Sequence, residues 1–315
     1  MNRSNRTEHI RITSHPEPSG KLRFPIHWDA PTARERGPII GTVSRHGDRN
    51  AIGSHGGWIH DYFGKNLTDK PSEPFLSYLR LNFESLQRST GQPVIEYSAP
   101  MGNHPAWVTH WLEQHGVTAY YTTADVGLGP TRTYLDGHRI EASSWSFPVN
   151  TLGTLASLEE FSKARIPRAK VLEWLKKLSV FTADSHEIRL FYSHPPGIQD
   201  YAPEMFEWLR YSQRLEVQHR FSWYRMGDLA KFLTRREKAR WTEKEGPAES
   251  RIFEASSIES LSKLTWCLPK IDYAEPVAEA QHASVSQDER CWLVRAGDYK
   301  DLRFVSRRIG AVPRA

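Results

Sequence analysis

The feature that most constrains the fold is an alternation of strand-like and helix-like segments through the middle of the chain. Short β-branched and aromatic runs predict strands at 93–100, 117–125 and 187–194. Amphipathic periodicity predicts helices at 72–91, 105–116, 157–166, 168–181, 201–215 and 227–241. Strands that alternate with helices favour a mostly parallel sheet or a distorted α/β barrel, whose chemistry lies at the carboxyl ends of the strands.

Helix start and stop signals support these assignments. The first long helix ends at Gly91, a residue that readily adopts the left-handed conformation of a helix terminus. Ser157 and Glu160 have the spacing of a capping box, in which each side chain bonds the other's backbone N–H. One face of the first long helix is apolar and should enter the core: Phe75, Leu79, Phe83 and Leu86.

The texture of the sequence changes after Gly246 and Pro247. Short segments without helical periodicity follow at 250–256, 263–269 and 290–297. They predict a small β-rich appendage, part of a sandwich, or else extra strands folded against the main domain. The expected organisation is therefore an irregular segment at 1–37, a main domain at 38–245 and the appendage at 246–315.

Composition limits the class of protein. A chain of 315 residues with 38% hydrophobic residues can bury a substantial core, and its 11 Trp and 12 Tyr suit either that core or stacking on sugar rings. The net charge of +5 is spread along the chain, so no focused patch predicts nucleic-acid binding. The sequence contains no run of 18 apolar residues, so it predicts no membrane-spanning helix. The two cysteines form no CxxC pair and do not report a redox compartment.

Polar residues cluster where the strands end. Four such stretches occur at 53–60, 96–105, 122–127 and 190–197, and in an α/β barrel they would converge on one rim. His55 and His60 flank a glycine-containing loop, and two neutral imidazoles there can bind one Zn²⁺-like ion at about 2.0 to 2.1 Å. The alternative is that they are unrelated surface residues among 14 histidines.

The order of these motifs resembles the polysaccharide deacetylase family, carbohydrate esterase family 4. In that family a His-x-x-x-His pair binds the metal, an Arg-x-Pro-x-Gly segment follows, and a late His acts as the catalytic acid. His55 and His60 resemble the metal pair, 98–102 the middle segment and His194 the acid. The resemblance covers roughly 40–235 and implies a distorted barrel that removes N- or O-acetyl groups from an acetylated polysaccharide with the help of a divalent metal.

The resemblance also implies roles for neighbouring groups. The backbone N–H of Met101 would lie in the oxyanion site. Asp125 is a candidate partner that orients His194, with capping of the following loop as the alternative. Trp58 and Trp145 are candidates for the walls of a sugar groove or for core packing.

The sequence departs from the family pattern in three places. The histidines are five residues apart instead of four, and Ser98 replaces the usual Arg. The opening strand with paired aspartates, which supplies a metal ligand and the general base, is not found upstream of the histidines. Asp29, Asp48 and Asp61 are the nearby carboxylates, and Asp29 is the expected third metal ligand.

Two other functions fit parts of the pattern. A deacetylase-like fold that lacks the first-strand acids could bind glycan without hydrolysing it. A metallophosphatase is a weaker alternative, favoured by the strings "RHGDRNAIGSHG" and "GNHP".

The N-terminal sequence bears on location. It has no apolar signal core, so the chain as it reads is expected to be cytoplasmic. Proteins of the family work outside the cytoplasm, and the first catalytic strand is missing at the same end of the chain. We therefore expect an N-terminally truncated form of a longer, exported enzyme.

Overall fold

The computed structural model of the chain describes 11–13, 25–28, 51–55, 60–122, 129–135, 138–140 and 143–309. The chain forms two units. One, the α/β unit, comprises Pro18–Lys231, and the other, the β unit, comprises Met1–Glu17 together with Phe232–Ala315.

The α/β unit is built on a six-stranded sheet that is parallel through its first five strands. Its strands are β2 Pro25–Trp28, β3 Ala51–Ser54, β4 Glu96–Ser98, β5 Ala119–Thr122, β6 Thr131–Arg132 and β9 Trp145–Pro148. The parallel pairs are β2 with β3, β3 with β4, β4 with β5 and β5 with β9, and β6 runs antiparallel to β9. A separate two-stranded hairpin joins β7 Tyr134–Leu135 to β8 His138–Arg139.

The predicted parallel sheet is thus confirmed. Among the described residues the sheet remains open, so a closed barrel is not formed there. The strand predicted at 187–194 is wrong, because only one parallel bridge forms, between Val149 and Leu190. The Leu190 carbonyl accepts hydrogen bonds from the backbone N–H and the side-chain amide of Asn150.

Six of the eight described helices were predicted from the sequence, and the two short ones that begin at His60 and Pro195 were not. They are α1 His60–Asn66, α2 Glu73–Thr90, α3 Ala106–Gln114, α4 Leu158–Lys163, α5 Arg168–Ser185, α6 Pro195–Asp200, α7 Ala202–Val217 and α8 Met226–Lys238. Gly91 ends α2 with φ 66°, and the Ser157–Glu160 capping box is formed, so both predictions are confirmed. The four apolar residues predicted for the inner face of α2 are all buried.

The β unit contains two antiparallel four-stranded sheets. The first consists, in spatial order, of β1 Arg11–Thr13, β12 Thr265–Pro269, β15 Cys291–Ala296 and β14 Ala283–Gln287. The second consists of β10 Arg240–Glu245, β11 Ser250–Ser256, β16 Asp301–Arg307 and β13 Val277–Ala278. Phe304 of the second sheet meets Trp266 of the first in an aromatic contact, and both are buried. Cys267 and Cys291 form a disulfide between β12 and β15.

Two expectations about the ends of the domains need correction. The division falls at Lys231 and Phe232 within α8, and β10 pairs with β11, so 240–245 belongs to the β unit. β10 was not predicted as a strand because it is largely exposed and its charged residues give no apolar pattern. Within the segment expected to be irregular, β1 and β2 are strands held by pairing with β12 and β3.

The described helices include none that is long and apolar enough to cross a membrane.

Glu96 is a buried carboxyl at the start of β4. Its Oε1 accepts a hydrogen bond from the backbone N–H of Gly227. Burial raises the pKa of Glu96 to about 7, against the opposing effects of that bond and of the Arg225 charge. The folded chain therefore favours the neutral acid.

We expect Glu96→Gln to change how stability depends on pH. Because the pKa is raised in the folded state, the stabilising effect of the neutral acid is complete below 4.5 and is lost as the pH rises to about 7. The amide cannot ionise, so the variant should exceed the native chain in free energy of unfolding by up to about 3 kcal/mol at pH 8. Urea unfolding at pH 4.5 and pH 8 measures the difference. Glu84→Gln, at an exposed position of α2, is the control, and an equal effect of both variants would contradict the assignment.

Candidate active site

His55 follows directly after β3 and is fixed by its neighbour strand. Ser54 pairs with Tyr97 in the parallel register, which brings the next residues, His55 and Ser98, side by side. The His55 Nδ1 lies 2.9 Å from the Ser98 carbonyl oxygen. A carbonyl can only accept, so Nδ1 carries the hydrogen and a neutral ring keeps a lone pair on Nε2.

The electrostatic environment keeps this ring neutral. Burial lowers the pKa of His55 to about 4, with smaller contributions in the same direction from the charges of His60 and His194. The hydrogen bond to Ser98 opposes the shift without cancelling it. At neutral pH His55 is therefore an uncharged imidazole, the form that binds a metal.

His60 lies beside His55 at the first residue of α1. The two ring centroids are 4.6 Å apart. The His60 Nδ1 lies 2.9 Å from Oδ1 of Asp61, and the same carboxylate accepts from Lys65. Hydrogen bonds from His60 and Lys65, with the charge of Lys65, hold the pKa of Asp61 below its usual value. Asp61 thus orients His60 by bonding one ring nitrogen, as carboxylates do behind histidine ligands.

A tight turn after β4 packs against α1. Residues Pro100–Gly102 form one 3₁₀ turn, in which Met101 has a left-handed φ of 53°. The turn is closed by the N–H groups of Gly102 and Asn103, not by that of Met101. The Met101 side chain is 59% exposed. Met101, whose backbone N–H was predicted to lie in the oxyanion site, is therefore at the surface of the unit.

Asn103 and Gly64 attach this turn to α1. The Asn103 amide donates to the carbonyls of Gly64 and Leu67, at 2.9 and 3.0 Å. Gly64 has no side chain to separate the backbones: a Cβ there would stand 2.8 Å from the Pro100 oxygen. The helix that carries His60 is thus held against the segment that carries Met101.

The "GNHP" string has a structural role in these contacts. Asn103 holds α1, and the partly buried His104 ring lies 4.3 Å from the Tyr120 ring and bonds Thr109 through Nε2. Burial lowers the pKa of His104 to about 4. The His104 Nδ1 is buried and has no hydrogen-bond partner in the described part of the chain.

His194 pairs with a carboxylate that the sequence did not single out. Its Nδ1 lies 3.3 Å from Oε2 of Glu159, at the beginning of α4. Glu159 also accepts from Ser193 Oγ and from the Gly197 N–H. A Cβ on Gly197 would lie 2.6 Å from the Glu159 carboxyl carbon, so only glycine permits this approach.

The charge state of Glu159 follows from its partners. Burial of the Glu159 carboxyl opposes its ionisation. The hydrogen bonds that it accepts from its own backbone N–H and from the Gly197 N–H, together with the charge of His194, outweigh burial and hold the pKa of Glu159 below its usual value. An ionised carboxylate beside a half-exposed imidazole is the arrangement of a general acid or base with its orienting group.

Two tyrosines lie between the two groups of histidines. Tyr192 Oη is 2.6 Å from His194 Nε2, and Ser98 Oγ donates to Tyr121 Oη. Neither tyrosine was singled out from the sequence. Tyr192 and His194 are two residues apart in an extended segment, which puts their side chains on one side, and that spacing was the available signal.

The remaining predicted residues divide into two groups. Asp29 and Asp125 lie outside the described residues, as do Asp48 and Trp58. Trp145 is buried with the Arg132 guanidinium over its ring, so it packs in the unit and does not line a groove. Within the described part of the chain, no cluster of three His, Cys, Asp or Glu side chains could hold a metal.

Comparison with solved structures relates the fold to a deacetylase. The chain is similar to a crystal structure described as "putative polysaccharide deacetylase from Mycobacterium smegmatis", with a TM-score of 0.52 and 16% identity. The match covers 69% of this chain and 74% of that one. At this identity the likeness concerns the fold.

Comparison by sequence relates the N-terminal part to a different group. Residues 8–64 match the family model described as "GTP cyclohydrolase N terminal". The chain is also 34% identical over 76 residues to "Putative GTP cyclohydrolase URC1" of Lachancea kluyveri, which covers 24% of this chain. The chain spans about 17% of the length of that relative. This similarity was not foreseen from the sequence, and the matched segment includes His55 and His60.

Gly64→Ala tests whether the contact between α1 and the turn fixes the site. In an unhindered helix this change stabilises by about 1 kcal/mol. Here the added methyl would overlap the Pro100 oxygen and the Met101 side chain, and overpacking costs about 1 to 3 kcal/mol. We therefore expect a lower melting temperature, measured by circular dichroism. A higher melting temperature would show that α1 and the turn do not approach each other this closely.

Proposed function

We propose that the chain removes acetyl groups from an acetylated polysaccharide in a reaction that depends on a Zn²⁺-like divalent metal. The observation that carries this proposal is the contact of the His55 and His60 rings beside the Met101 turn. The Glu159–His194 pair supports it, since the charge of His194 contributes to the lowered pKa of His55. The fold likeness to a deacetylase structure supports the same proposal.

His55 and His60 fit a metal by the chemistry of their donor atoms. In each ring Nδ1 is used by an oxygen acceptor, so Nε2 is left as the coordinating atom. Asp29 is the proposed third ligand: it follows Trp28, the last residue of β2, and Trp28 pairs with Ser54 immediately before His55. A zinc ion held by these residues supplies Lewis-acid polarisation of the acetyl carbonyl.

The protein's own groups divide the remaining work. His194, oriented by Glu159, gives a proton to the departing amine or hydroxyl of the sugar. The Met101 N–H donates to the oxygen of the former acetyl carbonyl as negative charge develops there, a contribution worth about 3 kcal/mol in other enzymes. In this proposal Asp125 has no necessary part, because Glu159 already pairs with His194.

A second candidate function follows from the similarity of residues 8–64 to the GTP cyclohydrolase N-terminal family. The chain would then bind GTP, with His55 and His60 at or near the nucleotide. Titration of the chain with GTP, with and without zinc, separates this candidate from the first. Binding of GTP without acetate release from any glycan would favour it.

Substitution of the histidines tests the deacetylase proposal directly. We expect His55→Ala to abolish zinc binding in calorimetry, because two remaining ligands rarely hold zinc. His194→Ala should keep the zinc and lose turnover by about 10²- to 10⁴-fold. Acetate release from acetylated chitooligosaccharides and acetylated xylan, with and without chelator, gives the turnover and separates N- from O-deacetylation.

His110→Ala, at an exposed position of α3, is the matched control and should change neither quantity. Acetate release that survives chelator and both site substitutions would reject the mechanism. A folded chain that binds glycan without zinc and without acetate release would be the non-hydrolysing form of the fold.

A further inference from the structure

A row of hydroxyl groups connects the end of β4 to His194. Ser98 Oγ donates to Tyr121 Oη. The Tyr121 and Tyr192 rings are in contact, with centroids 5.0 Å apart. Tyr192 Oη lies 2.6 Å from Nε2 of His194. We refer to Ser98, Tyr121 and Tyr192 as the hydroxyl row.

The hydrogen bonds of the row can all run in one direction. The Glu159 carboxylate only accepts, so His194 donates from Nδ1 and, in a neutral ring, accepts at Nε2. Tyr192 then donates to Nε2. Tyr121 accepts from Ser98 and packs its ring against that of Tyr192.

Burial keeps these phenols protonated. It is the largest cause that raises the pKa of Tyr121 and of Tyr192 above the usual value of 10.0. Both hydroxyls therefore remain donors at neutral pH. The Ser98 side chain is fully buried, which fixes the far end of the row.

We propose that Tyr192 is a positioning residue, which holds His194 as the Nδ1–H tautomer while Tyr121 and Ser98 hold Tyr192. The hydroxyl serves both protonation states of the ring: it donates to Nε2 of the neutral imidazole and accepts from Nε2–H of the imidazolium. Because Glu159 holds Nδ1, the proton leaves from Nε2: the Nε2–H of the imidazolium lies between the Tyr192 oxygen and the leaving group, the leaving group takes the proton, and the Tyr192 hydroxyl then donates to the bare Nε2. The kinetic consequence rests on the proposed deacetylase function, whereas the tautomer does not.

The tautomer is tested by nitrogen NMR of the histidine-labelled chain, with His194→Ala to assign the resonances. In the native chain we expect Nδ1 of neutral His194 to be protonated and Nε2 unprotonated. Tyr192→Phe keeps the ring and removes the hydroxyl, so the Nε2–H form should increase. Identical nitrogen shifts in both proteins would overturn the proposal.

Kinetics of acetate release provide the second test. Tyr192→Phe should lower kcat by about 10- to 100-fold with little change in KM, the effect of a slightly misplaced catalytic group. Tyr121→Phe should act in the same direction and less strongly. In a His194→Ala background Tyr192→Phe should have no further effect, because it acts through His194.

Tyr211→Phe on α7, outside the row, is the control. A Tyr192→Phe protein that melts earlier but keeps its kcat would reduce Tyr192 to a packing residue and overturn the proposal. If the native chain releases no acetate, the proposed function fails, and the NMR comparison alone decides the role of Tyr192.

Discussion

The parallel pairing of β2, β3 and β4 is the constraint on which the candidate site depends. Trp28, Ser54 and Tyr97 are neighbours across these strands, so His55, which follows Ser54, lies beside Ser98. The hydrogen bond from His55 to the Ser98 carbonyl is a direct consequence of that register. A shift of one residue would turn the alternate side chains to the other face of the sheet, and His55 would lose both this bond and its neighbour His60.

The site combines a pair of histidines, His55 and His60, with a single histidine, His194, in a different electrostatic environment. His55 is buried and neutral, which suits a metal ligand. His194 is half exposed and backed by an ionised carboxylate, which suits proton transfer to a substrate. Ser98 contacts both parts of the site, because its carbonyl bonds His55 and its hydroxyl begins the row that ends at His194.

Local signals predicted the elements, and long-range contacts decided the site. Gly91, Ser157 and Glu160 were identified from the sequence because caps depend on residues a few positions apart. Glu159 was missed, since it meets His194 across 35 residues of sequence. The Cys267–Cys291 bridge was missed for a similar reason: spacing alone does not show that β12 and β15 are neighbours. The segment 187–194 forms one bridge instead of the predicted strand, because an apolar pattern in the sequence does not guarantee a neighbouring strand with which to pair.

The central claim is that the ends of β2 and β3 form one metal centre, and anomalous diffraction from crystals soaked in zinc tests it most directly. The account predicts a single zinc peak bonded to Nε2 of His55 and of His60 at about 2.0 to 2.1 Å, with an Asp29 oxygen at about 2.0 to 2.2 Å. A zinc peak elsewhere, or none at these two rings in crystals that hold zinc at saturating concentration, would contradict it.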